Sequence, residues 1–106
     1  MSKPRIRLPE QAKVGQVIEI KTLISHVMET GQRKEADGKP IPRSIINSFS
    51  AKFAGAEVFT AELHPGISAN PYIAFHLRVP GPGEFEFTWV DDTGAKVVEK
   101  QKLNVV

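Results

Sequence analysis

The chain has 106 residues, with 14 Lys and Arg against 12 Asp and Glu, a formal charge of +2, and no cysteine. This length fits one domain over residues 1–106, large enough to bury a core without staples. The missing thiol excludes a disulfide, a thiolate nucleophile and a Cys-ligated metal, and the small, dispersed basic excess argues against a dedicated nucleic-acid binder.

The N-terminal Met-Ser-Lys-Pro-Arg lacks the apolar core of a secretory signal, and no apolar run approaches the ~20 residues of a membrane helix. Taken alone, this points to the cytoplasm, or to export by an indirect route. Period-two alternation then dominates, and no segment keeps a helical period. A short strand, Arg5–Leu8, alternates basic and apolar residues. Val17–Ser25 turns Ile18, Ile20 and Ile24 inward and Glu19 and Lys21 outward. Ile45–Ala54 presents Ile45, Phe49, Ala51 and Phe53 on one side, and Glu57–Leu63 buries Phe59, Ala61 and Leu63. Tyr72–Val79 sets Ile73, Phe75, Leu77 and Val79 against His76 and Arg78. Glu84–Asp91 sets Phe85, Phe87 and Trp89 against Glu84, Glu86 and Thr88. Lys96–Val106 alternates less well, because Val98 breaks the parity of Val97, Leu103 and Val105, and a bulge is expected there. Local basic excess at Lys3–Arg7 and Lys96–Lys102 reads as solvated charge on edge strands, which discourages sheet-to-sheet association.

Ala54-Gly55-Ala56 and Asp91-Asp92-Thr93-Gly94 are hairpin turns by composition, and Pro80-Gly81-Pro82-Gly83 is a rigid reversal. About seven strands with this punctuation predict an all-β, immunoglobulin-like antiparallel β-sandwich, without the Cys-Trp-Cys core of an antibody domain. Met28–Ser44 does not fit the meander. It is a long, mixed-charge loop with Met28, Ile41 and Pro42 as apolar bookends around a polar tip. Such loops are disordered or functional. Its bookends cap the core, or the loop contacts a partner.

Chemistry-bearing residues are sparse. His26, His64 and His76 show no metal-ligand spacing, His76 reads as a surface residue, and no metal or cofactor is expected. Ser68 lies in a loop rather than a nucleophile elbow. Asp91-Asp92 reads as turn chemistry, because neighbouring strand residues face opposite ways. Gly81 and Gly83 have a strand behind them instead of the helix a phosphate cradle needs. The aromatics fall on inward faces and belong to the core. A non-enzymatic domain acting through its surface is the expectation, by edge-strand pairing or face packing.

Several stretches together are specific: Met28-Glu29-Thr30-Gly31-Gln32-Arg33, Gly38-Lys39-Pro40-Ile41-Pro42-Arg43 with Ile45-Ile46, His64-Pro65-Gly66-Ile67-Ser68-Ala69-Asn70-Pro71-Tyr72, Gly83-Glu84-Phe85 and Trp89-Val90-Asp91-Asp92-Thr93-Gly94. In this order and spacing the chain resembles, nearly end to end, the SoxZ family, small subunits of the SoxYZ sulfur-carrier complexes of bacterial thiosulfate oxidation. The resemblance implies an immunoglobulin-like fold and a periplasmic heterodimer, exported with a SoxY-like partner. That partner carries sulfur intermediates on a cysteine in a flexible C-terminal arm. The Z subunit scaffolds it, supplies no sulfur-bearing residue, and meets other Sox enzymes transiently; nucleic acid and membrane play no part. The resemblance favours function for the Met28–Ser44 loop. The candidate partner-binding residues are Val27, Met28, Arg33, Ile41, Arg43 and Ile46, with Arg33 and Arg43 placed to attract anionic adducts.

Two other classes compete. One is a metal-binding protein resembling superoxide reductase, faintly suggested by the His64-Pro65 and Tyr72 spacing, but that class needs several histidines and a cysteine. The other is a self-associating β-sandwich module. An exposed partner face would also let the isolated subunit form a homodimer.

Overall fold

Among the described residues, alternating apolar side chains build seven strands: β1 (Arg5–Arg7), β2 (Val17–Leu23), β3 (Ile46–Phe53), β4 (Ala56–Glu62), β5 (Tyr72–Arg78), β6 (Gly83–Asp91) and β7 (Lys96–Leu103). The computed structural model describes residues 3–67 and 69–106; Ser68 lies outside the described residues. The strands form a three-stranded sheet of order β1-β2-β5 and a four-stranded sheet of order β4-β3-β6-β7, with every pair antiparallel. This is the expected immunoglobulin-like sandwich, and the seven strands fall close to their predicted places.

The two inner faces meet on an aromatic cluster. Phe49, Phe85, Phe87 and Trp89 of the larger sheet are fully buried, and Phe75 of the smaller sheet packs against them. Phe49 lies 5.1 Å from Trp89, 6.0 Å from Phe59 and 6.3 Å from Phe75, centroid to centroid, while Phe59 stacks on Phe75 at 4.7 Å. Rings of both sheets therefore interlock. Burial of each such side chain contributes roughly 1.5–3 kcal/mol, and aromatic pairing adds about 0.5–1.5 kcal/mol per pair.

Turn chemistry sets the hairpins. Phe53 pairs with Ala56 across a two-residue turn whose Ala54 and Gly55 have φ of 52° and 83°, the doubly positive pattern that matches strand twist. Pro80–Gly83 carries the chain from β5 in one sheet to β6 in the other.

The expected bulge in Lys96–Val106 is not there. The β6–β7 ladder runs without a shift from Gly83↔Leu103 to Val90↔Lys96. Val97 and Leu103 turn toward the core, and Val98 lies exposed on the other face. The irregularities lie on the two ladders of β3 instead: at Ala51 and Lys52, which face Phe59 and Glu57 so that Val58 of β4 is the extra residue, and between Ile46 and Ser48 in β3 itself. At the second, Ile46 faces Asp91 and Ser48 faces Val90, so Asn47 is the extra residue. Alternation would set Ile46 outward with Ser48 and Ser50; the bulge turns it inward, and both Ile45 and Ile46 are buried.

Candidate partner-binding end of the sandwich

At one end of the sandwich the chain departs from regular pairing in three places: the segment after β2, the crossover from β4 to β5, and the β6–β7 turn. Local rules shape each. The long loop closes as an irregular hairpin, with Glu29 and Ser44 exchanging backbone hydrogen bonds of 2.8 Å at its base. Nearer its tip, Ile41 N–H donates to Arg33 O at 3.0 Å and Glu35 N–H to Lys39 O at 2.7 Å. Gly31 (φ 81°) and Gly38 (φ 86°) take backbone conformations that side chains disfavour. Met28 takes one as well (φ 50°), while its side chain is buried.

Two adjacent aspartates tie the β6–β7 turn to the segment after β2 and to the start of β3, each in a different direction. Asp92 Oδ2 and Oδ1 accept from Arg43 Nε and Nη2 at 2.8 and 2.9 Å, a bidentate pairing. Asp92 also accepts from Asn47 Nδ2 at 3.0 Å and from the Ile45 N–H at 3.1 Å. The bonds from Arg43 and Asn47, with the Ile45 N–H, hold its carboxyl well below the usual range, at about 2. Asp91 turns inward. Burial alone would push its carboxyl up, but it sits below its ordinary value because the Thr93 hydroxyl and the Thr93 and Ala95 N–H groups bond its charged form.

His26 connects the same turn to the crossover. Its Nδ1 accepts from the Met28 N–H at 2.9 Å, which leaves Nε2 as the proton-bearing nitrogen, 3.5 Å from Asp91 Oδ2; both side chains are under a tenth exposed. His26 and Asn70 are tied by two bonds: the His26 N–H donates to the Asn70 side-chain Oδ1 at 3.0 Å, and the Asn70 N–H donates to His26 O at 2.8 Å. The three segments are thereby joined through residues remote in sequence.

The six sequence-predicted site residues divide between its surface and its foundation. Val27 is 76% exposed and Ile41 half-buried. Arg33 and Arg43 are on the surface, but each already holds a carboxylate: Arg33 that of Glu29, through Nε and Nη2, and Arg43 that of Asp92. The Arg33 bond and charge keep the Glu29 carboxyl below its ordinary range. Met28 and Ile46 are buried, and the Ile46 N–H points at the Met28 sulfur at 3.3 Å. These two support the loop from beneath. Exposed Ile67, on the crossover tied to His26 through Asn70, escaped the sequence reading. So did the His26–Asp91 contact, because a histidine at a strand end and an aspartate in a turn carry no signal of meeting.

His76 sits near Glu19 on the outer face of the smaller sheet (3.7 Å) and His64 is exposed. Among the described residues no three His, Cys, Asp or Glu side chains converge on a point that would suit a metal ion.

The SoxZ family profile, described as sulphur oxidation protein SoxZ, matches residues 6–102. The chain belongs to the SoxZ family. That membership places it in sulphur oxidation, in agreement with the motifs of the loop, the crossover and the β6–β7 turn. No curated protein sequence matches the chain. Among solved structures, a superoxide reductase (neelaredoxin) from Ignicoccus hospitalis aligns with a TM-score of 0.73 at 17% identity, over 99% of this chain and 81% of that one. The sulfur carrier protein SoxY from Chlorobium limicola f thiosulfatophilum aligns with a TM-score of 0.69 at 12% identity, over 100% of this SoxZ-family chain and 81% of that one. At such identities both show a shared fold alone.

Proposed function

We propose that this chain is the non-catalytic subunit of a periplasmic SoxYZ-type heterodimer, scaffolding a SoxY-like partner whose cysteine carries sulfur intermediates during thiosulfate oxidation. The observation that carries the reading is the SoxZ family match across nearly the whole chain. Two features support it: the chain has no cysteine to carry sulfur, and its irregular end is tied together by side-chain contacts and exposes Val27 and Ile67. The partner docks on this end, against Val27, Ile41 and the Arg33 side of the loop. Met28 and Ile46 set the loop's position from below. Other Sox enzymes then approach the partner's cysteine arm transiently.

The test is co-expression with a SoxY-like chain ending in a glycine-flanked cysteine, followed by size-exclusion chromatography and intact mass spectrometry after thiosulfate turnover. A one-to-one complex is expected, with the sulfur adduct on the partner and none on this chain. Separate elution of the two chains would overturn the reading.

A further inference from the structure

A second surface lies on the outer face of the smaller sheet. Residues 3–7, Lys-Pro-Arg-Ile-Arg, alternate with the pleat: Pro4 is buried and Ile6 packs on the core, while Lys3, Arg5 and Arg7 are exposed on the other side. The three cations span ~13 Å at strand spacing. Across the ladder, Arg7 faces Lys21, Arg5 faces Leu23, and Leu23 faces Tyr72. Arg5, Arg7, Lys21, Leu23 and Tyr72 line an open groove of about 510 Å³, and Lys3 and Arg5 continue into a second of about 460 Å³. Tyr72 is 58% exposed.

The charge is unanswered. Lys21 is paired with Glu19 at 3.4 Å, but among the described residues no carboxylate lies within ion-pair reach of Lys3, Arg5 or Arg7. The backbone is also open, since β1 is an edge strand paired only with β2. The other basic edge differs in its cross-strand neighbours: on β7, Lys102 and Lys100 stand in register with Glu84 and Glu86, without an ion pair between them, whereas Arg5 and Arg7 stand in register with Leu23 and Lys21. Cations on an edge repel a second copy of the same chain, so the occupant must bring opposite charge. Arginine and tyrosine beside a half-buried leucine are also the side chains that anchor protein contacts.

We propose that β1 is a docking strip for an extended acidic segment of a partner protein. The segment adds its backbone to the β1 edge and sets alternate carboxylates against Lys3, Arg5 and Arg7. This chemistry is independent of the sulfur-carrier reading.

The probe is a fluorescein-labelled decapeptide of alternating Glu and Thr, with a Gln-Thr decapeptide as control, titrated into the full chain at low salt. Anisotropy should show binding of the acidic peptide at least tenfold tighter than the control. Hydrogen exchange at residues 5–7 should slow on binding. Arg5→Glu with Arg7→Glu should weaken binding at least tenfold, while Lys100→Glu with Lys102→Glu should change it less than twofold. If the double reversal does not fold, Arg5→Gln and Arg7→Gln singly should each weaken binding with melting unchanged. Equal binding of the Gln peptide, equal loss from the β7 variant, or unchanged exchange at residues 5–7 would overturn the proposal. So would tighter binding of thiosulfate, of an oligothymidylate or of phosphatidylglycerol vesicles, which would assign the cations to a small anion, a nucleic acid or a lipid surface.

Discussion

Arg43 and Asp92, 49 residues apart, grip one another through two parallel hydrogen bonds of 2.8 and 2.9 Å. The pair fastens the base of the long loop to the β6–β7 turn, and the same carboxylate holds Asn47 and the Ile45 N–H where β3 begins. Because the arginine side chain is nearly half exposed, solvent screens much of the charge attraction. The pairing acts mainly by fixing geometry.

Asp92→Ala removes the acceptor for all these donors. The expected loss is about 1–2 kcal/mol of stability, since two of the donors lie at a part-buried strand start. Urea denaturation gives the energy. Hydrogen exchange should show faster opening at Glu29 and Ser44 while β2 and β6 keep their protection.

The same carboxylate imposes a pH dependence. Its folded pKa is about 2, below the unfolded value of about 3.9. The stabilisation is therefore complete above about pH 5, where the unfolded carboxyl is also ionised, and is lost progressively as pH falls through the unfolded and then the folded value. Urea midpoints measured across the acid range should drop more steeply for the wild type than for Asp92→Asn, and the two curves should converge at the acid end.

Gly31→Ala tests the loop directly. The glycine has φ of 81°, and an added Cβ would stand 3.0 Å from the Arg43 Cβ. Strain and contact together should cost about 1–2 kcal/mol and displace Arg43. Complex formation with a SoxY-like partner, followed by titration calorimetry, should weaken measurably. Affinity equal to wild type would show that the loop takes no part in docking.

Arg33→Glu separates attraction for anions from architecture. Arg33 is the more exposed of the two loop arginines, so reversal should leave melting within roughly 2–4 °C of wild type. It should also repel Glu29 and slow turnover of the complex with the other Sox enzymes. An unchanged rate would remove Arg33 from the working surface.

Phe49 sits where both sheets meet, within 6.3 Å of four other rings by centroid. Phe49→Ala should cost about 3–5 kcal/mol. Val98→Thr, on a half-exposed outer position, should change stability by less than about 0.5 kcal/mol. Paired thermal melts check the contrast.

Strand positions, the hairpin turns and the inward aromatics were legible in the sequence, because side-chain alternation and positive-φ turn residues act over a few neighbours. Motif order likewise carried the SoxZ resemblance. Only the tertiary structure decided that the β3 bulge turns Ile46 inward, that Met28 lies beneath the loop, and that both candidate arginines already hold carboxylates. It alone joined His26 to Asp91 and Arg43 to Asp92. Such contacts depend on which strand ends the two sheets bring together, and the separation of their residues along the chain carries no local periodicity from which to read them.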